Sequence, residues 1–410
     1  MAEVVTKRLF KGQLANGFVS LILCFIASLI LWPLWSILAN AIFSIFVNNS
    51  LIFADSVTYE KLLGVMVEGS FLWLVIVPWI WMVLCFDCYG KDRLKLKQPW
   101  SGIAYSFAML VVGAIGFLVM ISFMGIWWKP FNLATMFTPV SVADMDLALL
   151  GWGVAKEYAL CVVVVQIAFV TMLHKWPFAG KSNALMDNIS NFATSSLVTF
   201  IFFISVILPS FMQLFVGDIK ITSEPFGSFL PLLAFLFSFV IISCVPVMGG
   251  ELYPLKFFAK KQPYMGIVGV LIAILAGFAF PPLLRNIFGS MNLLPGAPID
   301  VVVSSLLLTI IIVILFWNEL FDGYPGATMV PITSIRILTR VAVWVFGGLG
   351  LGILWIKTYS VLPIGGNNFG FGFHTMGVIA GQFTFLITFL IFHANFDKWP
   401  LVQKLESKEN

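Results

Sequence analysis

Several charged and amide side chains stand inside stretches that are otherwise almost wholly apolar. Glu68 lies in Met66-Val67-Glu68-Gly69-Ser70, Lys156 and Glu157 are adjacent in a later run, and Gln166 follows in that same run. In a bilayer, an unpaired charge at mid-depth costs about 2.5–3.5 kcal/mol on insertion scales, so such groups are candidates for function. The chemistry open to them is electrostatic: to bind, pass on or exclude a charged solute or a proton. Neighbouring residues do not face one another on a helix, so Lys156 and Glu157 must look elsewhere for partners. Glu68 requires a buried partner or a cavity, and Lys156 lies towards the same end of its span. Arg336 and Arg340 are spaced i,i+4 and share one helix face. That face reads either as an electropositive vestibule for anions or as a pair of anchors snorkelling to headgroups.

A short pattern recurs five times, each copy at the end of an apolar stretch. It is an acid or His, any residue, Tyr or Trp, then Pro or Gly. The copies are Asp87-Cys88-Tyr89-Gly90, His174-Lys175-Trp176-Pro177, Glu251-Leu252-Tyr253-Pro254, Asp322-Gly323-Tyr324-Pro325 and Asp397-Lys398-Trp399-Pro400. Tyr and Trp favour the headgroup level and Pro ends a helix, so the plain reading is a repeated anchoring turn. A direct functional role for the five polar residues is the sharper alternative. A second echo joins Lys97-Gln98-Pro99-Trp100 to Lys261-Gln262-Pro263-Tyr264, at the offset that also carries Asp87 onto Glu251.

Bond-making chemistry finds little support. The three histidines, His174, His374 and His393, offer no pair at mid-bilayer for haem. Cys85-Phe86-Asp87-Cys88 is a C-x-x-C without a second pair to complete a zinc site. There is no H-E-x-x-H, phosphate-binding loop, dinucleotide fingerprint or nucleophile elbow. The sequence therefore implies no cofactor, no metal and no enzyme. The basic loops hold no nucleic-acid module and are explained by topology.

The elements that carry these residues are membrane helices. Of 410 residues 60% are hydrophobic and 10% charged, with a mean hydropathy of +1.02; soluble domains carry roughly 25% charged residues. Ten spans are expected, at about 14–46, 62–86, 101–127, 152–173, 191–216, 228–249, 264–287, 300–321, 334–356 and 373–396. The first contains Trp32-Pro33 and reads as a kinked span or as a span followed by an interfacial helix. The N-terminus, the even-to-odd loops and the C-terminal tail hold 17 Lys and Arg, against five on the other side. By the positive-inside rule both termini are cytoplasmic, with the five repeated turns at the cytoplasmic ends of the even spans. The short loops suggest a bacterial or archaeal inner membrane. Asn48-Asn49-Ser50 is formally a glycosylation sequon too close to the membrane to weigh much.

The whole chain thus reads as one all-α transmembrane domain of five tandem hairpins, at about 1–90, 91–177, 178–254, 255–325 and 326–400. The repeats are parallel, unlike the inverted pairs of many transporters. Odd spans are rich in small residues, such as Gly113, Gly269, Gly277, Gly347 and Gly348, and even spans are bulkier. Small residues allow close helix approach or leave room for a lumen, so the expectation is an inner ring of odd helices; the alternative is that they mark helix contacts. Ten helices as five parallel hairpins resemble the tellurite-resistance/dicarboxylate transporter and slow anion channel family. That resemblance implies five inner helices around a pore occluded by phenylalanine. Phe25, Phe117, Phe203, Phe278 and Phe346, one near the middle of each odd span, are then the gate candidates. Path candidates are Glu68, Lys156, Glu157, Gln166, Arg336 and Arg340. The leading expectation is a transporter or channel for a small polar solute, an anion being favoured. The alternative is a membrane subunit of a larger complex, for example a quinone-linked redox enzyme. Partners are then the bilayer, a solute, and either further copies of the chain or a protein complex.

Overall fold

The computed structural model describes residues 4–47, 50–126, 128–207, 229–362 and 374–406. Among them nine helices are long and apolar enough to cross a membrane, and a tenth apolar helix is shorter. The protein is a polytopic α-helical membrane protein. We number the main helices α1 Gln13–Phe46, α2 Ser56–Cys85, α3 Trp100–Met124, α4 Val142–Thr171, α5 Ala184–Ser205, α6 Phe229–Cys244, α7 Tyr264–Phe288, α8 Ile299–Glu319, α9 Thr333–Val361 and α10 His374–Ala394. Asn48 and Asn49 of the sequon, Lys220 and the far end of the fifth expected span lie outside the described residues.

Most boundaries fall within a few residues of those expected. The largest departure is α4, which begins ten residues earlier than 152, while α5 and α2 begin seven and six residues early. Ser141 caps α4, its hydroxyl oxygen accepting from the Asp144 backbone N–H at 3.1 Å. The extra turns carry Asp144 and Asp146, which disguised them as loop. Helix α1 runs unbroken through Pro33 for 34 residues. Helix α2 relaxes around Pro78 into wide turns in which the Val77 N–H reaches back to the Leu72 carbonyl, as expected where a proline removes a donor. A two-stranded antiparallel sheet was not foreseen: β1 Val4–Arg8 pairs with β2 Val402–Glu406, joining the two chain ends.

The expected inner ring is inverted. Of its most apolar stretch, α8 buries 89% and α2 83%, whereas α9 buries 22% and α1 28%. The even helices form the interior and the odd helices the outer layer. The glycines of the odd helices explain the inversion. A side chain at Gly113 would collide with the Trp73 backbone, one at Gly277 with Phe235, and one at Gly348 with Ile310. These glycines bring outer helices against inner ones, and do not face a lumen. Bulk on the odd helices points outwards instead, as at Phe278 and Phe346. In hydrocarbon, burial of apolar bulk gives no advantage, and close packing decides which face turns inwards.

The five repeated turns share one backbone. In each, the first residue is left-handed: φ is 50° at Asp87, 49° at His174, 52° at Glu251, 49° at Asp322 and 53° at Asp397. The second residue is left-handed as well. That second N–H bonds the carbonyl six residues back in every copy, at 2.9 Å from Cys88 to Met82 and 3.0 Å from Lys175 to Phe169, for instance. This bond reaches one residue further back than the C″-to-C3 bond of a Schellman helix stop, and the two left-handed residues end the helix. Four copies continue into a cis X–Pro bond, and Tyr89-Gly90 is the exception.

Candidate functional site

The turns are stitched to one another by charge. Lys175 of the second turn pairs with Asp87 of the first. Lys398 of the fifth reaches Asp322 of the fourth at 2.6 Å, and Arg8 reaches the same carboxylate at 2.8 Å. Lys91, just past the first turn, pairs with Asp397 of the fifth at 2.9 Å. Arg336 at the start of α9 pairs with Glu251 of the third. His174, the one position without an acid, is exposed.

A second set of bonds ties outer helices to these turns. The carbonyl two residues before the acid or His accepts from Gln98 Nε2 at Asn395 (2.9 Å), from Gln262 Nε2 at Met172 (2.7 Å) and from Arg340 Nη1 at Gly249 (2.9 Å). Lys175 Nζ serves Cys85 in the same way at 3.1 Å, and Gln13 Nε2 serves Phe321, one residue later, at 2.7 Å. Four residues after each Gln stands a glycine, Gly17, Gly102 or Gly266. Each packs on the residue just before an acid or His: Phe321, Phe396 and Leu173. Arg336 and Arg340 occupy the corresponding pair of positions on α9, and there the glycine sits in the turn, at Gly250. Both arginines are buried. They hold Glu251 and the carbonyls of Gly249, Gly323 and Pro325. The expected anion vestibule therefore does not form from them: Arg336 is paired with Glu251, and the two terminal nitrogens of Arg340 are taken by carbonyls, its Nε having no partner among the described residues.

Inside the even helices lies a cavity of about 450 Å³, lined by residues of α2, α4, α6, α8 and α10. Its wall is apolar, with Trp79, Leu160, Phe237, Ile311 and Phe383 among the lining residues. At its end near the turns are Asp87, Lys91, Glu319, His393 and Asp397. Glu319 is held by His393 Nδ1 and by Asn318 Nδ2. Beyond Leu160 and Phe383, which line both spaces, is a small pocket of about 60 Å³. Glu68 and Lys156 line it, paired at 2.7 Å. Each side chain retains less than a fifth of its exposure, so the charges neutralise one another in a largely apolar setting.

No protein-family model, curated protein or solved structure matches the chain.

The remaining sequence candidates divide clearly. Glu157 is buried, and its Oε2 has no hydrogen-bond partner among the described residues. Gln166 joins α4 to α5 through Ser196 Oγ at 3.2 Å and accepts from the Cys85 thiol; it does not line the axial cavity. The five gate phenylalanines do not line it either. Phe117 stacks on Trp152 at 5.0 Å, Phe203 meets the edge of Tyr158 at 5.0 Å, Phe25 meets Phe385 at 5.8 Å and Phe278 meets Phe235 at 5.0 Å. Phe346 is 75% exposed. These rings are packing or lipid-facing groups, because the odd helices that carry them are outside. The thiols of Cys85 and Cys88 are free, and burial pushes the Cys88 thiol up. Sequence reasoning missed Leu160, Phe237 and Phe383, ordinary apolar residues whose place on the axis no local pattern reveals. The Gln13-to-Gly17 spacing, repeated at Gln98 and Gln262, was a readable signal for the clamp.

Proposed function

We propose that the protein is a membrane transporter or channel whose path runs along the axis between the even helices. The observation that carries this reading is the axial cavity bordered by all five even helices, continuing past Leu160 and Phe383 to the Glu68–Lys156 pair. The turn face, rich in Lys and Arg, is the cytoplasmic side, so the cavity opens inwards and the ion pair guards the outer half. Both termini are then cytoplasmic, and the membrane is an inner cell membrane. The five hairpins act as one repeated unit. The likeness to the tellurite-resistance/dicarboxylate transporter and slow anion channel family is kept for hairpin order alone; a phenylalanine-gated path between odd helices is not carried over. In this form the path is closed. Leu160 and Phe383 form an apolar neck that excludes water and ions, and the ion pair occupies the space beyond.

Flux from proteoliposomes loaded with a panel of small anions and cations tests the reading. Leu160→Ala and Phe383→Ala are expected to raise leak or transport of at least one solute, and Phe346→Ala to leave it unchanged. Flux that is absent in every variant, together with a partner protein co-purifying in fixed ratio, would overturn it in favour of the complex-subunit alternative.

A further inference from the structure

The axial cavity has a chemical character that narrows what it can hold. Most of its wall is aliphatic or aromatic. Trp79 and the Phe237–Phe383 pair, centroids 5.9 Å apart, supply ring faces to it. Only at the turn end is the lining charged, and there the carboxylates Asp87, Asp92, Glu319 and Asp397 face one lysine, Lys91, and one histidine, His393. Lys91 is already held by Asp397 and by the Ala394 carbonyl. Asp87 is likewise held by Lys175 from outside the lining. The remaining negative excess lies with Glu319, which has only the His393 imidazole and Asn318 against it, and with the exposed Asp92; aromatic faces add attraction for a cation.

Access to this cavity has a direction too. Neighbouring even helices pack closely from α2 through α4, α6 and α8 to α10, but α10 and α2 have no closely packed stretch among the described residues. Behind that seam lies an apolar crevice of about 580 Å³, bordered by Leu23 and Leu31 of α1 and Leu110 of α3, all half-exposed. Ile387 of α10 lines both the crevice and the axial cavity. One side chain therefore separates the crevice from the axial cavity.

We infer that the axial cavity binds an amphipathic organic cation, an apolar body bearing a protonated or quaternary nitrogen, which enters from the bilayer through the α2–α10 seam and sets its charge beside Glu319. The inference rests on the transport reading for its biological sense but is separable from it by experiment.

The probes are tetraphenylphosphonium and tetraphenylborate, which share shape and differ in the sign of charge. Binding to the purified full chain in detergent is measured by equilibrium dialysis. Tetraphenylphosphonium is expected to bind at least tenfold more tightly than tetraphenylborate. Glu319→Gln should weaken the cation roughly tenfold, about 1.4 kcal/mol, and leave the anion unchanged. Val240→Trp, placed in the wall, should abolish binding, with an unchanged thermal melt showing that the variant is folded. Ile387→Trp should slow association more than it weakens binding. Equal affinity for the two ions, or binding indifferent to both Glu319→Gln and a folded Val240→Trp, would overturn the inference. Should Val240→Trp fail to fold, the Glu319→Gln comparison decides alone. If the cation binds at the site but no proteoliposome flux of any solute is found, the transport reading fails and the binding inference stands. If another solute is carried in a manner sensitive to Leu160 and Phe383 while tetraphenylphosphonium does not bind, the reverse holds.

Discussion

At the residue scale, the Glu68–Lys156 pair shows how a membrane interior tolerates charge: each partner is the other's solvent. Removing one leaves the other uncompensated, and breaking a buried pair typically costs about 3–5 kcal/mol. Glu68→Met or Lys156→Met alone should therefore lower the melting temperature sharply. The double variant should recover most of the loss, as a thermal double-mutant cycle would reveal; additive losses would mean the pair is not coupled. The turn pairs are a contrast. Asp322 and Arg8 are both more than a third exposed, so Asp322→Asn should cost only about 0–1 kcal/mol per pair by the same melt. The sequence made part of this visible. A lone carboxylate in an apolar run has to find a cation, and Lys156 lay at the same end of its span. Arg336 and Arg340 were less legible. Their i,i+4 spacing fixes that they share a face, but not whether that face turns to the axis or to the neighbouring turn.

At the element scale, glycine placement decides which helix sits where. Gly113 touches the α2 backbone, so Gly113→Ala should cost roughly 1–3 kcal/mol by overpacking. Gly350 has nothing within reach of an added methyl. Gly350→Ala should be neutral or stabilising by up to about 1 kcal/mol through helix propensity. Melting the two variants side by side checks the outer-layer assignment of α3 and α9, and equal effects would contradict it. The start of α2 adds a pH-dependent case. The Thr58 backbone N–H and hydroxyl bond the Asp55 carboxylate and hold it below the usual carboxylate range. With a lowered folded value, the cap is fully made above the ordinary carboxylate range and is lost as pH falls through the lowered one. Hydrogen exchange at Thr58 should quicken only at strongly acid pH, and Asp55→Ala should quicken it at all pH values. That the chain is built of long apolar helices was legible, because twenty apolar residues in a row have few other fates in a bilayer. Inner and outer position was not. A glycine-rich face reads the same whether it meets a lumen or a neighbour's backbone, and only the partner helix, remote in sequence, distinguishes the two.

At the scale of the whole molecule, the turns and both chain ends gather at one face. Single cysteines at Ser182 and Gln403 should therefore be labelled by an impermeant maleimide from one side of the membrane, and one at Ser290 only from the other. Labelling of Ser182 and Ser290 from the same side would break the hairpin order. The sequence predicted common sidedness for the ends through its basic loops, but not that the ends meet. The short segments that form β1 and β2 lie far apart in the chain, each too brief to announce a strand. Their antiparallel register sets Val4 opposite Glu406, and Lys91 to Asp397 makes the last repeat a neighbour of the first. Topologically, then, the described residues close into a ring in which no hairpin is first. A circular permutant with Glu406 joined to Val4 by a short linker, and new ends opened in the exposed loop at Lys95 and Leu96, should insert and melt like the parent chain.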